Sequence, residues 1–123
     1  MKKYTILLLC FLVLITLLGC DYGSGDSVVS FGDTGISVDA GYKWGRTGHD
    51  LDYVYVKGDI LNTGNKKYYY LELWGEIYNA QGQIIAKEYT NFVDLFPGEK
   101  RSFEMYTKLP NESIRNVEFY IKH

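Results

Sequence analysis

Residues 53–61, YVYVKGDIL, decide the fold, because apolar and polar side chains alternate along them. Val54, Val56 and Ile60 fall on one side of an extended chain, and the residues between them fall mainly on the other. Alternation of this kind is typical of a strand with one face on a core and one in water, an arrangement that antiparallel sheets allow. The stretch therefore predicts an antiparallel all-β fold.

The same period of two recurs along most of the chain. Residues 101–108 place Phe103 and Met105 on one face, and residues 116–122 repeat the pattern. No window of ten or more residues has a convincing helical stripe. We predict six strands, at residues 36–44, 53–61, 68–78, 83–92, 101–108 and 116–122. Two such sheets packed face to face give a small antiparallel two-sheet sandwich.

Turn residues separate the predicted strands. Pro97-Gly98 suits the central pair of a type II turn, because proline presets φ and glycine accepts a positive φ. Residues 79–82, NAQG, are typical of a type I turn that closes with Gly82 in the left-handed region. This hairpin closes with either a three- or a four-residue loop, and the two alternatives differ by one in register.

The first nineteen residues have the composition of an export signal. Lys2 and Lys3 form a basic start, and residues 4–18 are apolar apart from Tyr4 and the two threonines Thr5 and Thr16. A membrane-spanning helix needs roughly 20 apolar residues, and this run is shorter. Residues 1–19 therefore predict a cleavable signal helix.

A lipid anchor is the next expectation. The sequence Leu17-Leu18-Gly19-Cys20 resembles the lipobox of bacterial lipoproteins. The resemblance implies cleavage after Gly19 and diacylation of Cys20, which places the protein on the outer side of a cell membrane. The alternatives are an uncleaved signal anchor and an ordinary secretory signal that is cut nearby. Residues 20–35 are rich in glycine and serine, so we expect a flexible linker. Val28, Val29 and Phe31 interrupt this linker and could add a short edge strand to the domain, which residues 36–123 form.

Composition limits the possible functions. The chain has 13 basic and 15 acidic residues, and loss of residues 1–19 leaves 11 and 15, a net charge of −4. A mildly acidic domain without a basic cluster is a poor match for nucleic acid. Cys10 leaves with the signal and Cys20 carries the lipid, so the domain has no disulfide and no cysteine metal site. We expect no cofactor.

Three segments resemble a known family: residues 56–64 (VKGDILNTG), residues 77–82 (IYNAQG) and residues 95–99 (LFPGE) followed by Phe103. They are similar to FxLYD domains, small extracytoplasmic immunoglobulin-like β-sandwiches of bacteria and archaea. The resemblance matches Gly58 and Asn62 to a family glycine and asparagine, although Asn79 stands where the family tends to have aspartate. It covers roughly residues 36–122 and implies a fold but no activity.

Catalytic groups are sparse. The histidines are His49 and His123, and the mature chain has no free thiol, so no nucleophile has an evident base and we predict no enzyme activity. His49, Asp50 and Asp52 gather an imidazole and two carboxylates, which a divalent ion accepts. The alternative, which we favour, is a solvated loop without metal.

The strand at residues 68–78 carries the candidate ligand site. One face alternates aromatic and acidic side chains: Tyr70, Glu72, Trp74, Glu76 and Tyr78. Tyr70, Trp74 and Tyr78 could form an exposed strip for sugars or for a partner protein. Alternatively, the rings pack against neighbouring strands while lysines such as Lys57 or Lys87 balance the acids.

These observations favour a noncatalytic, lipid-anchored β-sandwich that acts as an interaction or envelope-structural module. The alternatives are a glycan- or peptide-binding module that uses the aromatic strip and, less favoured, a metal-binding protein. The expected partners are the membrane, through Cys20, and an envelope protein or glycan.

Overall fold

The computed structural model describes residues 22–46, 52–109 and 113–123, and they form two antiparallel β-sheets. The seven strands are β1 (Tyr22–Ser30), β2 (Ile36–Arg46), β3 (Asp52–Asn62), β4 (Tyr68–Asn79), β5 (Ile84–Leu95), β6 (Lys100–Leu109) and β7 (Ile114–Lys122). A single 3₁₀ turn, Gly32–Thr34, joins β1 to β2. Within these ranges no helix is long and apolar enough to cross a membrane. The predicted signal helix, Gly19 and Cys20 lie outside the described residues.

The strand order is β1-β2-β3-β6 in one sheet and β5-β4-β7 in the other. This order can be compared with that of an immunoglobulin variable-type domain. In the first sheet, β2, β3 and β6 take the places of strands A, B and E. In the second sheet, β4, β5 and β7 take the places of strands C, C′ and F. Strand β1 is an addition on the outer edge of β2. The predicted all-β, two-sheet class is confirmed.

Alternate residues of the facing strands form the core. Among the described residues, seventeen apolar side chains are buried between the sheets: Ile36, Val38, Ala40, Val54, Val56, Ile60, Tyr68, Leu71, Leu73, Ile77, Phe92, Leu95, Phe103, Met105, Ile114, Val117 and Phe119. The predicted inward faces of β3 and β6 are confirmed. In β7 the prediction is confirmed for Val117 and Phe119, whereas Ile121 is only partly buried. Burial of this kind is the main favourable term in folding.

Strand β1 corrects the expectation of a flexible linker. All nine of its residues pair with β2, from Tyr22 opposite Gly45 to Ser30 opposite Ser37. Backbone hydrogen bonds do not depend on side-chain type, so a glycine- and serine-rich segment can complete a sheet edge. Val29 adds a partly buried contact with the core. The short edge strand predicted from Val28, Val29 and Phe31 is therefore a nine-residue strand that ends at Ser30, before Phe31.

The structure also fixes the hairpin between β4 and β5. Four residues, 80–83, connect the strands, and Gly82 has φ 78° with its N–H bonded to the Asn79 carbonyl. The register then shifts by one between Ile77 and Tyr78, where Ile85 is the extra residue in β5. Beyond this bulge, Trp74 lies opposite Tyr89, and the aromatic neighbours of β4 follow from that register.

The opposite end of the sandwich is held by Asn62, which is fully buried. Its Nδ2 donates to the carbonyls of Lys66 and Leu95, and its Oδ1 accepts from the Gly64 N–H. The Asn62 carbonyl also accepts from Gly98 in the predicted Pro-Gly turn, where Gly98 has φ 80°. One side chain therefore joins the β3–β4 loop to the end of β5.

Candidate interaction surface

The three-stranded sheet presents the predicted aromatic strip on its outer face. Along β4, Leu71, Leu73 and Ile77 point into the core, so the alternate residues point outward. Tyr70 is exposed, whereas Trp74 and Tyr78 are partly exposed. The structure brings the three residues to one face, and their role as a ligand site stays a prediction.

Trp74 is the centre of an aromatic rung that crosses all three strands. Tyr89 of β5 and Tyr120 of β7 are its register partners. The Trp74 ring stacks on Tyr89 at a centroid distance of 4.7 Å and on Tyr120 at 5.9 Å, with interplanar angles of 22° and 7°. Aromatic pairs of this kind contribute about 0.5–1.5 kcal/mol each beyond their area burial. Tyrosine rings therefore neighbour the Trp74 ring on both sides.

Glu72 ties the strip together by hydrogen bonds. Tyr70 Oη donates to its Oε2 at 2.5 Å, and Trp74 Nε1 donates to its Oε1 at 2.8 Å. Both bonds lower the pKa of Glu72, because they favour the ionised carboxylate, and the bond from Tyr70 has the larger effect. The same bond to Glu72 raises the pKa of Tyr70. The carboxylate thus fixes the orientation of two aromatic side chains.

The lysines beside the acids are partly those that the sequence suggested. Lys87 lies opposite Glu76 in the register of β4 and β5. Lys57 was a wrong choice, because it lies in the other sheet, opposite Glu104. Lys122, which the sequence analysis missed, lies opposite Glu72 and places its Nζ 4.6 Å from the centre of the Trp74 ring. Distant strands become neighbours only through the sheet order, which alternation alone does not give.

A second aromatic surface lies where β4 begins and β5 ends. Tyr68 and Leu71 are both buried although they are three residues apart, so the in–out alternation changes phase between them. The facing strand changes phase at Asp94, a non-glycine residue with φ 53°. Aspartate is among the residues that tolerate this region. The change leaves four large apolar side chains outside, which we term the end patch: Tyr69 (72% exposed), Tyr70 (48%), Val93 (54%) and Phe96 (51%).

Lys67 fixes the geometry of the end patch. Its Nζ lies 4.4 Å from the centre of the Tyr69 ring and 4.5 Å from that of Phe96, and it pairs with Asp94 at 3.3 Å. Arg101 supports the same segment, because its guanidinium donates to the carbonyls of Val93 and Asp94. Each exposed cation–π contact is worth about 0.5–1 kcal/mol. The contacts of Lys67 and Arg101 therefore hold the backbone that carries the apolar side chains of the end patch in place.

The metal hypothesis falls on residues outside this description. His49 and Asp50 are not among the described residues, and Asp52 is described only as the first position of β3. Elsewhere in the described ranges, no three histidine, cysteine, aspartate or glutamate side chains lie close enough to hold a metal ion. The candidate surface therefore consists of the strip and the end patch.

No family model and no curated protein matches the chain. Among solved structures, the chain is similar to a β-glucuronidase from Bacteroides uniformis (19% identity, TM-score 0.47) over 71% of its own length and 10% of the enzyme. It is also similar to a putative β-galactosidase from Bacteroides fragilis (20% identity, TM-score 0.45) over 72% of its own length and 12% of that protein. A third similar structure is a DUF1425 family member from Shewanella sp. pv-4 (15% identity, TM-score 0.43). This similarity covers 80% of this chain and 89% of that one. The chain thus spans about a tenth of the two enzymes.

Proposed function

We propose that this protein is exported, acylated on Cys20 and held on the outer side of a cell membrane. The support comes from the order of the first segments: a basic start, an apolar run, the tetrad Leu17-Leu18-Gly19-Cys20 and then a polar segment. Two acyl chains anchor stably, whereas a single chain binds reversibly at about 0.8 kcal/mol per buried methylene. Diacylation of Cys20 would therefore be sufficient for stable attachment to the membrane.

The domain itself is proposed to act without catalysis, as an interaction or envelope-structural module. The observation that carries this proposal is the end patch, four large apolar side chains that are 48–72% exposed. Exposed apolar patches on stable domains mark contact surfaces, and aromatic residues supply much of the energy at such contacts. The aromatic strip continues the surface along β4, because Tyr70 belongs to both. An envelope protein is the partner that this surface fits best.

A peptide or glycan ligand on the strip is the alternative. Sugars stack on a free aromatic face, and Trp74 has tyrosine rings on both sides. This geometry favours a peptide or protein over a glycan. Quenching of tryptophan fluorescence by soluble cell-wall sugars, abolished by Trp74→Ala, would instead support the glycan. The less favoured metal hypothesis predicts a melting temperature that falls when a chelator is added.

Site-specific photocrosslinking tests the protein-partner proposal. A photoreactive phenylalanine analogue replaces Tyr69 in the end patch, and a matched control replaces Tyr106, which is 53% exposed on the outer face of the other sheet. Irradiation of intact cells should give one recurrent envelope protein with the Tyr69 probe and only background with the Tyr106 probe. Identical adduct patterns from both positions would contradict the proposal.

A further inference from the structure

The antiparallel registers sort the strand ends into two poles. The start of β1 pairs with the end of β2, and the end of β2 pairs with the start of β3. The β3–β4 connection runs at the other pole, so the β4–β5 hairpin at residues 80–83 lies at the same pole as Tyr22. The end patch lies at the opposite pole, with the Pro97-Gly98 turn. Along the 12 residues of β4 the two poles are about 35 Å apart at about 3.3 Å per residue.

Only Asp21 separates Cys20 from the first residue of β1. Two Cα–Cα steps of 3.8 Å span at most about 7.6 Å. A flexible tether of many residues would let the domain tumble above the bilayer, but a segment this short cannot hold it away from the lipid headgroups. The first strand of the sandwich therefore begins at the membrane surface whenever Cys20 carries acyl chains.

We infer that the sandwich docks on the lipid headgroups by its hairpin pole, with the strands rising from the bilayer and the end patch facing away. This inference rests on the proposed acylation of Cys20 and adds an orientation to it. The headgroup layer is the partner of the hairpin pole, and the far pole remains free for a protein. The length of the strands, rather than the length of a linker, then sets the height of the end patch above the bilayer.

Strand β1 packs as an integral part of the sandwich, as the contacts of Gly25 illustrate. A Cβ at this position would come within 2.5 Å of Tyr42 Cζ, so the tyrosine ring lies against the glycine backbone. Glycine leaves room here for the Tyr42 ring to lie over the backbone of β1. Tyr42 of β2 packs against the hydrophobic core, as does Val29 of β1. Valine at this position would displace the end of the Tyr42 side chain, while the backbone pairing of β1 with β2 would be retained.

Energy transfer in vesicles measures the orientation. The mature chain has no cysteine besides Cys20, so a single introduced thiol can carry a donor dye. Gln81→Cys labels the hairpin pole and Asn65→Cys labels the far pole, both at exposed positions. The full acylated protein is reconstituted into vesicles of phosphatidylethanolamine and phosphatidylglycerol that contain a headgroup-linked acceptor dye. Both single-label variants are first checked for co-flotation with the vesicles.

Strong transfer from position 81 and weak transfer from position 65 is the expected result, with a height difference of about 35 Å from the strand rise. A variant with fifteen glycine and serine residues inserted between Asp21 and Tyr22 should reduce this difference. Equal transfer from both positions in protein that floats would overturn the orientation but leave the anchor intact. Protein that does not float would overturn both proposals.

Discussion

Replacing Asn62 with alanine would remove three side-chain hydrogen bonds at the pole that carries the end patch. The side chain donates to the carbonyls of Lys66 and Leu95 and accepts from the Gly64 N–H at distances of 2.8, 3.2 and 3.1 Å. A hydrogen bond contributes about 1 kcal/mol net, so the three together predict a loss of about 3 kcal/mol. For a domain of this size, about 1 kcal/mol corresponds to roughly 4–8 °C, so Tm should fall by more than about 10 °C.

Urea unfolding of the purified protein, followed by tryptophan fluorescence, measures this loss. The matched control is Asn65→Ala, which truncates an exposed asparagine of the same loop and should change stability by no more than about 0.5 kcal/mol. Asn62→Asp should destabilise at least as much as Asn62→Ala, because a carboxylate would face two carbonyl oxygens. Equal unfolding midpoints for Asn62→Ala and Asn65→Ala would refute the argument that Asn62 holds this pole.

Three further outcomes are expected. Phe103→Ala, at a side chain that is 5% exposed in the core, should cost about 3–5 kcal/mol in urea unfolding, and an unchanged midpoint would remove Phe103 from the core. Gly58→Ala would bring a Cβ to 2.6 Å from Ala40 Cα, so it should destabilise the domain by about 1–3 kcal/mol. The matched control, Gly75→Ala, should cost less because its Cβ would have its nearest neighbour at 3.6 Å. A larger loss of stability for Gly75→Ala than for Gly58→Ala would contradict the packing. Because the folded pKa of Glu72 lies below its ordinary value of 4.5, its stabilising effect is present above that pH and is lost as the pH falls through the lower folded value. Unfolding measured from pH 6 to pH 3 should therefore show a smaller acid-induced loss for Glu72→Gln than for the unaltered protein, and parallel curves would count against the carboxylate's role.

The parts of the fold that follow from local chemistry could be predicted from the sequence. Alternation identified the buried faces of β3 and β6, because a strand with one face in water repeats every two residues. The Pro97-Gly98 and 79–82 turns followed from the backbone preferences of proline and glycine. The glycine at position 58 was noted only through the family resemblance. In the structure it is required because a Cβ would meet the backbone of β2.

Features that depend on distant contacts could not be predicted in this way. The Gly-Ser composition of β1 indicated a linker, since composition reports side-chain preference and not whether a neighbouring strand offers a free edge. The end patch arises from a phase change at Tyr69 and Asp94, which breaks the alternation that the prediction assumed. Tyr89 and Tyr120 flank Trp74 only because of the sheet order and of the bulge beside Ile77. A single sequence contains no direct signal for that register.

Tandem mass spectrometry of the protein's own N-terminus, recovered from membranes, tests the central claim most directly. The account predicts that the chain begins at Cys20 and that its sulfur carries a diacylglyceryl group, while Cys20→Ala yields no acylated peptide. A chain that still begins at Met1, or one that begins near residue 20 with an unmodified thiol, would contradict it.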